Sequence, residues 1–435
     1  MIRVRWAAAA TAAVVAPALV VLAAGTAEAG KTAKGKTPRP AATATATPTA
    51  TATATATATG TATTTVTPTA TASTTTATPT GTASTTATPT GTATATTTET
   101  ATAAAAPTAT ATATSEPAAT ATSDAASTIS TASSCPAVAT RLVPVSTAAG
   151  LASALAGARP GDVIQLADGT YTGTFVDAVA GTAAAHVVIC GSSAAVIDGG
   201  DHTVGYALYL KRAPYTEVRG ITLTNAQKGI MLDWSSNSVI DGVTVHDVGD
   251  EGIHLRRMTS DSVVADSRIF NTGLLQAAYG EGVYVGSADT NWCTYTACDP
   301  DTSDRNVIVG NSIGPNVPAE DVDIKPGTTG GVVRGNSFDG TGMTYAQSWV
   351  DVKGNGWLIA GNTGRYPRHH GFTVSQAVSG WGNDTTFTGN IAYVYGSGFG
   401  IKLLSPYVTG TVVYADNVAI QAASGLTNIA VTPVP

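Results

Sequence analysis

"EDVDIKPGTTGGVVRGNSFDG", residues 320–340, sets acids and a lysine on alternate positions, then turns through Thr-Gly-Gly into a second strand-like phrase. Asp321, Asp323 and Lys325 are separated by Val322 and Ile324. A period of two sends neighbouring side chains to opposite faces of a strand. Whether that matters depends on recurrence, and the pattern recurs. "VIVGNSI", "VVRGNSF", "WLIAGNT", "TFTGNI" and "VVYADNVAI" are variants of one phrase, with Asn311, Asn336, Asn362, Asn390 and Asn417 at intervals of 25 to 28 residues. Upstream, "EVRGITL", "SVIDGVTV" and "SVVADSRIF" keep the phrase without the asparagine.

A second phrase precedes each of these: "YALYL", "KGIML", "EGIHL", "EGVYV", "EDVDI", "SWVDV", "HGFTV" and "GIKLL". Each unit thus holds two or three short strands bounded by Gly, Asn, Asp and Ser turns, and helical periodicity is nearly absent. Units of this length stack as a right-handed parallel β-helix of about ten coils, one coil per unit. The aligned asparagines predict a ladder in one turn, where Asn tolerates left-handed geometry. A β-propeller is the competing architecture, but its blades are longer and four-stranded. One helix is expected in "STAAGLASALAGARPGD" (146–162), capped by Ser146, with Leu151 and Leu155 on one side, closing the open N-terminal end of the solenoid.

The rest of the 435-residue chain is organised around this domain. Residues 1–29 read as a secretory signal: Arg3 and Arg5, an apolar run from Ala7 to Ala24, then "AEAG", with cleavage after Ala29. A membrane anchor is the alternative, disfavoured by the Ala-rich run and its small-residue end. Residues 30–134 are almost wholly Thr, Ala and Pro, too poor in large apolar residues to offset ordering entropy. They read as a disordered stalk, open to O-glycosylation. A basic cluster at Lys31, Lys34, Lys36 and Arg39 either touches an anionic cell wall or is simply solvated. Residues 135–435 form the folded domain and hold all four cysteines. An even count in an exported chain predicts disulfides, paired Cys135–Cys190 and Cys293–Cys298. Wide spacing without nearby histidine argues against a structural metal. A net charge of −7 excludes bulk attraction to nucleic acid. The expectation is a secreted monomer, free of the membrane once the signal is cleaved.

Alternation turns the third position of the "GIHL"-type phrases outward. Down the stack that column reads Met231, His254, Tyr284, Asp323, Asp351, Thr373 and Lys402. Two residues on, a second column reads Asp233, Arg256, Gly286, Lys325, Lys353 and Ser375. A third, Glu251, Glu281 and Glu320, sits where the chain turns into the strand. A solvated face of alternating charge is the bland explanation. Against it, the charges cluster on the middle coils, and acids stack on acids at strand spacing, which is unfavourable without a cation among them. The longest insertion, "GSADTNWCTYTACDPDTSDRN" (286–306), leaves the same face carrying Trp292 and Tyr295. It suits a sugar-binding wall, or else an Ω-loop packed on itself.

"DVGDEGIHLR", "YGEGVYVGSADTNWC", "DVDIKPGTTGGVVRGNSFDG" and "SWVDVKGNGWLIAGNTG" resemble the secreted right-handed parallel β-helix proteins of the pectate-lyase-like superfamily, over roughly residues 135–430. That superfamily holds lyases, hydrolases, epimerases and non-enzymes. The resemblance implies β-elimination of a uronic-acid polysaccharide, usually with calcium, a lysine base, and aspartates of neighbouring coils around the ion. Asp323, Lys325, Asp351 and Lys353 are similar in kind and placement. Calcium is then expected on Asp323 and Asp351 with Glu281, Glu320 and Glu251 nearby. Lys325 or Lys353 is the base, its pKa depressed by the neighbouring lysine or Arg256, and His254 or Tyr284 is the acid. Tyr284, Trp292, Arg368 and Lys402 are expected to touch substrate. Arg365, Arg368, His369 and His370 in "RYPRHHGFTV" either grip an acidic sugar or form a solvated turn. Two rivals share the fold: glycoside hydrolysis or epimerisation, with Asp323 and Asp351 as a carboxylate pair, and non-catalytic binding of polysaccharide or cell wall.

Overall fold

A computed structural model describes residues 135–136 and 139–435. The expected signal segment and stalk lie outside the described residues. The chain winds as an all-β parallel solenoid whose coils supply three sheets of twelve, nine and ten strands. One coil shows the pattern: Val283–Val285 joins the nine-stranded sheet, Val307–Val309 the twelve-stranded sheet, and Ser312–Ile313 the ten-stranded sheet. Pairing is parallel and in register. Ile230, Ile253, Val283, Val322, Val350, Phe372 and Ile401 stand one above another and all are buried. Each such aliphatic side chain contributes about 1.5–3 kcal/mol by leaving water, so the repeat and the core are one feature.

The asparagine ladder is present and buried. Asn311 donates its backbone N–H (2.9 Å) and Nδ2 (3.0 Å) to Asn336 Oδ1, and Asn336 does the same to Asn362, Asn362 to Asn390, and Asn390 to Asn417. The left-handed residue is not the asparagine, as expected, but the glycine before it: Gly310, Gly335, Gly361 and Gly389 have φ of 70°, 64°, 61° and 62°. The asparagine side chain instead satisfies backbone groups that the turn would otherwise bury without partners.

A second column is set by steric exclusion. A Cβ on Gly252 would meet Ile269 Cγ2 at 2.6 Å and the Gly282 carbonyl at 2.7 Å. This packs the turn entering the nine-stranded sheet tightly against the core, directly after Glu251 on that coil.

The N-terminal helix is shorter than expected, Ala148–Ala156, and is capped by Thr147 rather than Ser146: Thr147 Oγ1 accepts the Gly150 N–H at 3.1 Å. It stops at Gly157, ahead of Pro160. Leu151 and Leu155 are buried in the end of the core, as their spacing implied. Both disulfides form as paired from sequence, Cys135–Cys190 and Cys293–Cys298. Among the described residues no helix is long and apolar enough to cross a membrane.

Candidate active site

The nine-stranded sheet floors a cleft of about 710 Å³. Its three columns are those expected from alternation. Met231, His254, Tyr284, Asp323, Asp351, Thr373 and Lys402 are in register on successive strands, and Asp233 pairs with Arg256. Most of this outward column is nonetheless buried: Met231 0%, His254 5%, Tyr284 8% and Asp323 1% exposed. The columns pack on one another, and residues of two loops, including Tyr295 and Tyr345, line the cleft beside them. Burial turns a charged stripe into a low-dielectric site where each ionisable group needs a partner.

The turn column faces the cleft as well. Glu251, Glu281 and Glu320 all line it, and the coil before adds Lys228 to the same column. Lys228 pairs with Glu251 and lies 3.6 Å from Asp250. It was legible in "KGIML" had the column been extended one coil back.

The stacked aspartates are neutralised from within. Lys353 Nζ lies 2.5 Å from Asp323 and 2.8 Å from Asp351, and Lys325 Nζ lies 2.5 Å from Asp323. Asp351 also accepts the hydroxyls of Thr373 and Ser375 at 3.0 Å. Burial pushes Asp323 up, but the two lysines outweigh it and hold its pKa below the usual carboxylate value. The same contacts act on Lys353: burial lowers its pKa, and Asp323, Asp351 and Glu320 together raise it well above normal. This is the opposite of the depression expected for a lysine base. Lys325 forms its ion pair with Asp323, and its ammonium lies 4.6 Å over the Tyr284 ring.

Glu320 and Glu281 hold their protons more tightly than an ordinary carboxyl. Burial, then the charge of Asp323, raises Glu320 to about 7. Burial, then Glu251 and Asp323, pushes Glu281 well above its usual value, and Glu281 Oε2 is buried without a hydrogen-bond partner. Glu251 is different: burial raises it, but His254 and Lys228 bring it down to about 2. Tyr284 is raised well above the ordinary phenol, first by burial and then by Asp323, so it keeps its proton. His254 is held between the Gly286 carbonyl (Nε2, 2.9 Å) and Glu251 (Nδ1, 3.3 Å), with burial lowering its pKa. Its Nε2 is held by the Gly286 carbonyl, and its ring lies 4.2 Å from that of Tyr284, tilted by 53°.

Arg256 donates from Nε to Asp233 at 2.7 Å, and Asp233 also accepts the Tyr209 hydroxyl at 2.6 Å. The guanidinium lies 4.3 Å over the Tyr295 ring. The aromatic that the 286–306 insertion presents to the cleft is therefore Tyr295 rather than Trp292, whose Nε1 donates to Ser287 O at 3.2 Å within the loop. Arg368 donates to Tyr345 O at 2.8 Å, and Lys402 lies 4.7 Å over Phe399; neither lines this cleft. The "RYPRHHGFTV" segment divides: Arg365 lies on the ten-stranded sheet, and His370 accepts the Phe399 N–H at 3.1 Å.

Oxygens of Glu281, Glu320 and Asp323 lie within 4.8 Å of one another, an acidic cluster close enough to share a cation. Of the acids expected around calcium, Asp323, Glu281 and Glu320 come together, while Asp351 and Glu251 are engaged elsewhere. Calcium takes six to eight oxygens, whereas Asp351 is spent on Lys353, Thr373 and Ser375, and Glu251 on Lys228 and His254. Asp323 already carries two ammonium groups.

A family profile described as "Right handed beta helix region" matches residues 182–300. No curated protein matches the chain. Among solved structures, the alginate lyase of Paenibacillus sp. str. FPU-7 aligns at 39% identity and a TM-score of 0.63, over 68% of this chain and 100% of that one. The pectate lyase Pel9A aligns at 17% identity and a TM-score of 0.51, over 68% and 79%, a likeness of fold. With that identity across the whole of the Paenibacillus enzyme, the chain belongs to its family, within the pectate-lyase-like superfamily of right-handed parallel β-helix proteins.

Proposed function

We propose that the protein is a polysaccharide lyase that breaks an acidic, uronic-acid-containing chain by β-elimination. The observation that carries this is the Lys325–Tyr284 contact: an ammonium 4.6 Å over a buried, proton-holding phenol, in a cleft that also carries Arg256 and Lys228. The kinship with an alginate lyase makes alginate the first polymer to try.

β-Elimination first needs the substrate carboxylate neutralised, to acidify the proton on C5. Arg256, Lys228 and the proton-bearing Glu281 and Glu320 supply donors for this along one wall. Lys325, once it has released a proton to solvent, takes the C5 proton. The C–H electron pair becomes the C4=C5 double bond, and the C4–O4 bond breaks. Tyr284 gives its phenolic proton to O4, and the adjacent Lys325 ammonium returns one to the phenolate. Lys353 is better suited to holding Asp323 and Asp351 in place than to acting as base, since three acids keep it charged. Asp323, Asp351 and Glu251 are already paired, so Lys353 takes the ion's electrostatic place, and the reaction runs without calcium.

The two disulfides and the kinship suit an exported protein, in keeping with the expected secretion, with polysaccharide as its partner.

Glycoside hydrolysis is the second reading. Glu320 near 7 beside an ionised Asp323 is a pair of carboxyls with separated pKa values. One experiment separates the two. The full chain is incubated with alginate and other polyuronates, with and without chelator, following both near-ultraviolet absorbance and new reducing ends. A chelator-resistant rise in absorbance that disappears in Lys325→Ala supports the lyase. Reducing ends without absorbance support hydrolysis, and neither signal rejects both.

A further inference from the structure

The ten-stranded sheet carries a second groove, of about 470 Å³, on a sheet that the cleft does not use. Its floor is small and polar: Arg268, Ser312, Ser337 and Thr363 are in register on successive strands. An arginine stands at each end. Arg268 lies 4.5 Å over the Phe270 ring, and Arg365 lies 5.0 Å over Tyr393. Both are exposed, and neither forms an ion pair among the described residues. One acid, Asp339, faces Arg365 in register and accepts the Thr341 N–H at 3.0 Å.

Beside Arg365 the chain turns a corner in the left-handed region. Earlier coils fill this corner with Asn225, Asp247 and Asn271 (φ 52°, 53° and 51°), residue types that tolerate it. Here the corner is Tyr366, φ 56°, and on the next coil, where the stretch from Tyr393 to Gly396 is irregular, Tyr395 has φ 52°. Bulky side chains rarely adopt this conformation. The two rings stack at 4.9 Å and 22°, yet are 53% and 43% exposed. Neither core packing nor backbone geometry selects tyrosine at such a corner. A flat aromatic platform open to solvent, flanked by unpaired guanidinium groups, is what a sugar ring bearing a carboxylate recognises.

We propose that this groove is a second, non-catalytic binding site for an acidic polysaccharide. Sugar rings stack on Tyr366 and Tyr395, and carboxylates meet Arg365 and Arg268, which stand three coils, about 14 Å, apart along the stack. The choice of a polyuronate rests on the functional reading above; the site itself does not. Holding polymer on two faces raises its effective concentration at the cleft.

The test is electrophoresis of the full chain, carrying Lys325→Ala so that polymer is not cut, through native gels containing alginate or a neutral β-glucan. Tyr366→Asn with Tyr395→Asn restores the residue type of the earlier corners, so this double variant keeps the fold, checked by an unchanged or raised melting temperature. The parent is expected to be retarded by alginate and not by glucan, with apparent affinity falling about a hundredfold in the double variant. Arg365→Gln is expected to weaken it in the same direction. Retardation by alginate undiminished in the folded double variant, equal retardation by glucan, or none by alginate would each overturn the proposal. Because the readout is binding, a protein without lyase activity still gives a clear answer.

Discussion

The ammonium of Lys353 lies 2.5 Å from a carboxylate oxygen of Asp323 on the preceding coil. It also lies 2.8 Å from Asp351 on its own coil, so one side chain staples two stacked acids. In a parallel stack, identical positions recur at about 4.8 Å, and like charges there repel. Lys353→Met is therefore expected to cost about 3–5 kcal/mol, the price of leaving buried charge uncompensated. Urea unfolding measures it. Lys353→Arg should recover most of the loss, and a loss under about 1 kcal/mol would show that water already screens the pair.

The Lys325–Tyr284 pair makes a kinetic prediction. Lys325→Ala and Tyr284→Phe should each lower kcat by about 10²–10⁴-fold on a polyuronate, with KM changing little, since each group acts in the transition state. Lys353→Arg should lose far less. If Lys325→Ala turns over normally while Lys353→Arg is dead, the base lies one coil further along.

Glu320 predicts how stability changes with pH. Its pKa rises from 4.5 to about 7 on folding, so the folded state binds the proton more tightly. The stabilisation is fully present below about pH 4.5 and is lost as pH rises through 7. Glu320→Gln cannot ionise, so relative to the parent its melting temperature should climb between pH 5 and pH 8. A gap that stays constant over that window would mean that Glu320 is ionised throughout.

Much of this was legible because a parallel stack repeats its side-chain directions. Asp323 over Asp351 and Tyr284 beside His254 follow from period-two alternation and a count of coils. Lys228 is harder to place from sequence, because it is a base at the head of a column of acids. What alternation cannot supply is depth. Nothing in "GIHL" says that His254 will be buried; residues from elsewhere in the chain do that. Within the 286–306 insertion no repeat constrains direction, so Trp292 and Tyr295 were indistinguishable in sequence, and a helical turn at Trp292–Tyr295 gives the cleft to Tyr295. The acidic cluster of Glu281, Glu320 and Asp323 was legible in the columns, but how far Lys325 and Lys353 occupy those acids depends on side-chain conformation, which alternation does not set.

The insertion is tied down by one buried acid, which gives the last prediction. Asp301 is fully buried and accepts four hydrogen bonds at 2.8 Å, from the backbone N–H groups of Arg257 and Met258 and the hydroxyls of Ser287 and Ser303. Arg257 and Met258 both have positive φ, so the carboxylate stabilises an unfavourable turn directly after Arg256. The same residue thereby fixes the cation of the cleft floor and the loop whose Tyr295 ring covers it. Asp301→Ala should cost about 3 kcal/mol, from lost charge-assisted hydrogen bonds and orphaned N–H groups. It should also raise KM for polymer more than it lowers kcat, because the Arg256–Tyr295 wall loosens while Lys325 and Tyr284 stay on their strands. Steady-state kinetics on the folded fraction, with thermal unfolding alongside, checks both. An unchanged KM in a destabilised protein would show that the loop keeps its place through the Cys293–Cys298 bond and its own packing instead.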